Sequence, residues 1–388
     1  MLFRSNIIQE VEKLKNQRNT VTSEISKLKK SGENADEKIK AMKEVSDKIK
    51  ELDDELRQVD QTISEMVLTI PNIYHESVPV GKSEEDNLEI RKWGESLIQK
   101  KKFNHIDIAK KLGLIDFERA AKVSGSGFTF YTGKGAALER AIISFMLDFH
   151  INKHGYTELL PPLMVNPISM IGTGQIPKLA EDMYFIEKDN FYMIPTAEVP
   201  LTNFFAKEVL KADELPVKVC GFTPCYRREA GSYGKDTRGL LRLHQFNKVE
   251  LVKIVTPEAS YDELELLTND AEEILKTLEL PYRVILLASG DTSFASAKTY
   301  DLEVWSFAED KWLEVSSCSN FQDFQARRAN IKFKRTPNDK PEFVHTLNGS
   351  GVATPRLMVA LLEKYYQEDG RLIIPEPLRE YCKFDEIK

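Results

Sequence analysis

The chain has 388 residues, 41% of them hydrophobic and 30% charged, with a net charge of −7. That length buries a sizeable core in one large domain or two, and the acidic balance excludes a generally basic surface, so any polyanion must meet local basic patches. Four cysteines (Cys220, Cys225, Cys318 and Cys382) form no CxxC pair and no zinc spacing, which fits a reducing cytoplasm; no apolar run is long enough for a membrane helix, and the start becomes charged too soon for a secretory signal.

Apolar residues at Ile7, Val11, Leu14, Val21, Ile25 and Leu28, with Arg18 in register, step by threes and fours, a heptad seam. The polar stretch Ser31–Lys38 is a turn, and Ile49, Leu52, Leu56, Val59, Ile63 and Met66 form a second seam. Two helices joined by a short turn predict an antiparallel hairpin. Its first helix carries Lys13, Lys15, Arg18, Lys27, Lys29 and Lys30 against few acids. Such a flank is either ordinary solvated coiled coil or an arm that follows a phosphate backbone. Pro71, Pro79, Gly81 and the acids at Glu84–Asp86 mark a linker, so the expected layout is a hairpin over 1–68, a linker over 69–95 and a larger domain over 96–388.

In the larger part, short helices are expected at Ile106–Leu112 and Phe117–Ala121, a strong helix at Gly135–Lys153, and a proline-interrupted strand at Tyr156–Val165. Strands follow at Met183–Glu187 and Phe191–Pro195, then a helix over Thr196–Lys211. Further on come strands at Val217–Phe222, Leu243–Leu251, Tyr282–Leu287, Thr299–Phe307 and Trp312–Ser316, a long helix at Pro257–Leu278, a glycine turn at Asn348–Gly351, a helix at Leu357–Tyr366 and an extended tail at Leu372–Leu378. Hairpin-linked strands with helices grouped elsewhere predict an α+β domain with a mainly antiparallel sheet. No Walker loop or GxGxxG survives inspection, so a bound nucleotide would be held by arginines on that sheet, with a metal held by acids.

Four stretches carry a resemblance: YRREAGSYGKDTRGLLRLHQFNKVE from Tyr226, TGQIPK with IPTAEVPLTN, AKTYDLEVW with EVSSCSNFQDFQARR, and HTLNGSGVATPR. Together, behind a helical hairpin, they resemble bacterial-type seryl-tRNA synthetase, a class II aminoacyl-tRNA synthetase, over essentially the whole chain. The resemblance implies a six- to seven-stranded antiparallel sheet flanked by helices, a homodimer whose interface motif corresponds to Gly135–Pro162, and a cytoplasmic enzyme. Its substrates would be ATP, L-serine and serine tRNA, with Mg2+ as cofactor and selenocysteine tRNA as a further acceptor.

Residue by residue, the resemblance puts Arg227, Arg228, Glu229, Arg242, Phe246, Glu314, Val315, Ser316, Ser317 and Arg356 at ATP. Arg227, Glu314 and Arg356 would be catalytic, and Glu314 and Ser317 would be the metal ligands. Thr196, Ala197, Glu198, Arg227, Glu250, Asn348 and Ser350 would take serine. The six basic residues of the first helix would take tRNA, and the loop Gly231–Gly239 its acceptor end. Gly349 and Gly351 would let the backbone approach ATP. The residue types suit these tasks: arginine forks match phosphate, buried acids pair ammonium and hydroxyl groups, an aromatic ring stacks on a base, and oxygen donors suit a hard cation.

Two departures stand out. Family members carry a short helical segment ahead of the first arm helix, with no counterpart here, and the third motif reads GVATPRLMV where GLAVGRTLV is common, placing Pro355 and Leu357 beside Arg356. The alternatives are an amino-acid:carrier-protein ligase, which would lack the hairpin and bind zinc through cysteine, and a non-catalytic RNA-binding or interaction dimer, which would lose Arg227, Glu250, Glu314 or Arg356.

Overall fold

The structure, a computed structural model, describes residues 2–230 and 238–388. It divides into two compact units, Met1–Ile70 and Pro71–Lys388. Lys235, Asp236 and the rest of 231–237, most of the glycine-punctuated loop, lie outside the described residues.

The first unit is a helical hairpin of α1 (Leu2–Ser31) and α2 (Asp36–Leu68). Ile7, Val11 and Leu52 are buried together, with Leu14, Leu56 and Val59 packed against them, so the heptad seam is the interface. Ion pairs Arg4–Asp60, Lys15–Asp53 and Glu24–Lys38 run across the two helices in antiparallel order. They are exposed and fix register more than stability.

In the second unit one eight-stranded sheet organises everything. Its strands in chain order are β1 (Leu88–Trp93), β2 (Thr157–Glu158), β3 (Val217–Tyr226), β4 (Gln245–Val255), β5 (Tyr282–Leu286), β6 (Lys298–Ser306), β7 (Lys311–Asn320) and β8 (His345–Ala353). Their spatial order is β1-β5-β6-β7-β8-β4-β3-β2. All neighbours are antiparallel except β2, which runs parallel to β3 at one edge. The sheet is therefore wider than the six or seven strands expected.

The longest helices in the main core with this sheet are α3 (Lys134–His154), α4 (Ser260–Thr277) and α5 (Thr354–Tyr365). Strand alternation sorts the side chains. On β4, Val249, Leu251 and Val255 enter the helix-covered core. Phe246, Lys248 and Glu250 alternate to the other face. Lys253, fully buried on the helical side, is held by Glu263 at 2.9 Å and lies 3.7 Å from Asp270.

Four expectations change. Leu88–Trp93, assigned to the linker, is an edge strand paired with β5; the prolines and acids before it hid a short apolar alternation. The helix expected over Thr196–Lys211 spans only Glu198–Asn203; Lys207 takes a φ of 67°, and Val209–Lys211 becomes a strand parallel to Lys332–Lys334. Asn348–Gly351 is no turn but the middle of β8. The tail forms a short strand, Leu372–Ile373, then a helix, Glu376–Cys382, because its prolines sit where a helix can begin.

Glycine on β8 answers to packing. A Cβ on Gly351 would lie 2.8 Å from His150 Nε2, and one on Gly349 would lie 2.9 Å from Cys318 Sγ and 3.1 Å from Leu267 Cγ. These glycines admit α3 and α4, on the face away from the cavity described next. Burial, then His154, lowers the His150 pKa to about 3, so a neutral imidazole fills that contact.

Candidate active site

Arg227 follows directly on β3. Its N–H donates to His244 O at 3.0 Å and its Nε to Pro195 O at 3.2 Å, which sets the guanidinium 5.2 Å from the centre of the Phe246 ring on β4. Glu229 then takes a φ of 52°, turning the chain so that its carboxylate meets Arg242 at 2.5 Å. Arg356, in the first turn of α5, donates from Nε to Leu241 O at 3.2 Å and from Nη1 to Glu314 O at 2.7 Å. These residues, with Val315 and Ser317, line one part of a cavity of about 470 Å³.

Thr196, Glu198, Lys248, Asn348 and Ser350 line the rest, a more buried and polar part. Glu198 Oε1 accepts from Gln325 Nε2 at 2.6 Å, and its Oε2 from Gln175 Nε2 at 3.4 Å. Burial first, then the Glu250 charge, raises the Glu198 pKa to about 7. Thr196 Oγ1 donates to Glu250 Oε2 at 2.6 Å, and Asn348 Nδ2 to Glu250 Oε1 at 3.1 Å. The cavity thus has an aromatic and cationic part suited to a nucleotide, and a small acidic part suited to an ammonium and a hydroxyl, with Arg227 among the lining of both.

Six of the residues that the sequence placed at ATP or serine do not line this cavity. Arg228 turns away: its Nε donates to Met183 O at 3.0 Å and its guanidinium lies 4.7 Å from the Tyr184 ring centre. Ala197 is buried in an apolar cluster with Leu201 and Phe205. Ser316 donates its hydroxyl to Ser350 O at 2.6 Å and braces β7 against β8. Glu250, fully buried, stands behind Thr196, Lys248 and Asn348. Gly349 and Gly351 face the helices.

An adjoining cavity of about 760 Å³ shares Glu314, Ser317 and Arg356 and adds Asp301 and Glu303. Burial, then Glu314, pushes the Asp301 carboxyl well above the usual carboxylate range, and its Oδ1 has no hydrogen-bond partner among the described residues. Asp301, Lys248, Gln175 and Gln325 were missed in the sequence. Period-two alternation from Phe246 and Glu250 would have found Lys248. On α1, Lys13, Lys27, Lys29 and Lys30 are exposed, whereas Lys15 is half-buried against Asp53 and Arg18 is half-buried beside the seam.

Comparison with known proteins matches both units of the chain. Residues 184–365 match the model of the tRNA synthetase class II core domain (G, H, P, S and T), and residues 3–74 that of the seryl-tRNA synthetase N-terminal domain. The chain is 54% identical over 389 residues to a serine–tRNA ligase of Carboxydothermus hydrogenoformans, covering 99% of this chain and 91% of the relative. It is 56% identical over 386 residues to that of Bacillus subtilis, with coverage of 99% and 91%. A crystal structure of seryl-tRNA synthetase from Pyrococcus horikoshii complexed with ATP aligns with a TM-score of 0.91 at 40% identity, covering 100% of this chain and 91% of that one. The chain belongs to the bacterial-type seryl-tRNA synthetase family, class II ligases that join serine to tRNA.

Proposed function

We propose that the chain activates L-serine with ATP to seryl-adenylate, releases pyrophosphate, and transfers the seryl group to the terminal ribose of serine tRNA. The observation that carries this reading is the single cavity in which Arg227 and Phe246 adjoin the buried Thr196–Glu198–Lys248 cluster. A carboxylate oxygen of serine attacks the α-phosphorus, an oxygen–phosphorus bond forms, and the bond to pyrophosphate breaks. Little covalent work falls to the protein, so positioning and charge neutralisation carry the rate. Arg227 binds the α-phosphate and the serine carboxylate. Phe246 lies under adenine, Glu229 accepts from its amino group, and Arg242 and Arg356 neutralise phosphate charge. Glu198 takes the serine ammonium; Asn348 and Ser350 serve the side-chain hydroxyl, with Glu250 behind them.

The donor set also fits Mg2+. Glu314 and Ser317 line the same cavity with oxygen donors, and the unpartnered Asp301 Oδ1 lies in the adjoining one. A hard ion takes its remaining ligands from phosphate and water. Held there by Glu314 and Ser317, it would neutralise phosphate charge.

Dimerisation belongs to the same reading. Leu160 is 87% exposed and Met164 50% in the segment beside the sheet edge, apolar surface suited to a second copy. The hairpin would hold tRNA through Lys13, Lys27, Lys29 and Lys30, and the cytoplasm is the proposed location. Charging of selenocysteine tRNA with serine is the natural extension, decided by an assay with that tRNA. For the core reading, purified protein with ATP, magnesium and serine should exchange pyrophosphate into ATP without tRNA; no exchange would overturn it.

A further inference from the structure

Lys248 is a buried cation in the acidic part of the cavity, 6% exposed. Its Nζ forms an ion pair with Glu250 Oε2 and donates to Thr196 Oγ1 at 2.9 Å. The Thr196 hydroxyl has one proton and two lone pairs. Its proton goes to Glu250 Oε2, and its lone pairs take Lys248 Nζ and Glu198 N, the latter at 3.1 Å. That hydroxyl is saturated and offers nothing more to a substrate. Glu250 is fully buried behind the lining, whereas Lys248 reaches the cavity. An ammonium has three N–H groups, and among the described residues two are used, by Thr196 and Glu250.

A hydroxyl ligand both donates and accepts. A site that offers it only acids satisfies half of it. We propose that Lys248 determines amino-acid specificity by donating its third N–H to the side-chain hydroxyl oxygen of the bound serine, with Glu250 held behind it as its counter-ion. This rests on the serine-activation reading above. A side chain without the hydroxyl leaves a buried ammonium N–H without its ligand, and that asymmetry is what lets a polar site reject an apolar analogue.

Lys248 has a second consequence. Glu198, Glu250, Arg227 and the Cys225 thiol surround it, and Asn348 and Ser350 face it from β8. Without its charge, Glu198 would be a buried acid beside Glu250 with Arg227 still to offset it, and it would keep its proton to higher pH. Serine binding through an ionised Glu198 would then need a more alkaline solution.

The test uses full-length Lys248→Met and Lys248→Gln, with pyrophosphate exchange measured for serine and for alanine on both sides of neutral pH. Lys248→Met should lower kcat/KM for serine about a hundredfold, mostly through KM, with little change for alanine, the scale of one lost polar contact to a buried charge. The pH at which serine KM turns should move upward. Lys248→Gln keeps a donor without the charge and should recover about tenfold of the discrimination. Where Lys248→Met does not fold, Lys248→Gln carries the test. Equal losses for serine and alanine, or an unchanged ratio with an unchanged pH profile, overturn the proposal. No serine-dependent exchange by the unaltered protein would instead overturn the activation reading itself.

Discussion

The buried Glu139 carboxylate on α3 accepts a hydrogen bond from the Thr354 hydroxyl at the start of α5, and the same oxygen accepts from Asn247 Nδ2 at 2.8 Å. Asn247 follows Phe246 on β4, and Thr354 stands two residues before Arg356. One carboxyl thus joins the helix of the first motif to residues flanking both walls of the nucleotide part. Burial raises its pKa. Glu139→Ala should cost about 2 kcal/mol of stability, by leaving two buried partners unmade, and should raise KM for ATP. Glu139→Gln, of equal volume, should recover much of the stability. Chemical denaturation beside ATP-dependent exchange checks both.

Acidification should weaken serine binding. The Glu198 pKa is raised to about 7, so the carboxylate proposed to take the ammonium gains a proton below that pH. Serine KM should rise about tenfold for each pH unit below 7, the limiting slope for one proton. Stability moves the other way at this group. Its folded pKa lies above its unfolded value, so its favourable contribution is complete below the unfolded pKa and is lost as pH rises through about 7. Serine KM and unfolding midpoints for the unaltered protein and Glu198→Gln, followed against pH, check the sign; the substituted protein should lose this component of both.

The hairpin, the sheet and the Arg227–Phe246 pair were legible because periodicity and motif carried them. Leu88–Trp93 was not, because its pairing with Tyr282–Leu286 is a long-range fact that a stretch rich in proline and acids before it conceals. The adjacent arginines were only partly separable: the resemblance gave Arg227 the catalytic role and left Arg228 beside it at ATP. Strand alternation would send Arg227 and Arg228 to opposite faces, but β3 ends at Tyr226 and Glu229 has a left-handed backbone, so the side each takes depends on where Pro195 O and Met183 O lie. Glycine at 349 and 351 announced close approach without saying to what; the partners are helices, not nucleotide. Thr196 and Glu250 were singled out in the sequence for the serine part, while Lys248, which bonds to both, emerges only from tertiary packing.

Gly351→Ala should push β8 off His150, because the added Cβ would lie 2.8 Å from a buried ring nitrogen. Overpacking of this kind costs about 1–3 kcal/mol. Ser350 is the neighbouring residue on the cavity side, so KM for serine should rise along with the loss of stability. Thermal unfolding and serine titration of the variant check the pairing of the two effects.

Removing Ile7–Met66 should separate the two half-reactions. Serine-dependent exchange should persist, since every cavity residue lies in Pro71–Lys388. Charging of serine tRNA should fall by about a hundredfold or more, the scale of several lost phosphate contacts. Equal loss of both reactions would contradict that division of labour.

The most direct test of the central claim is pyrophosphate exchange by the purified protein with each amino acid in turn. Serine should support exchange with a kcat/KM at least about a thousandfold above alanine, as a site built to pair a hydroxyl requires, and threonine should fail on size. Exchange as fast with alanine as with serine, or none with serine, would contradict the account.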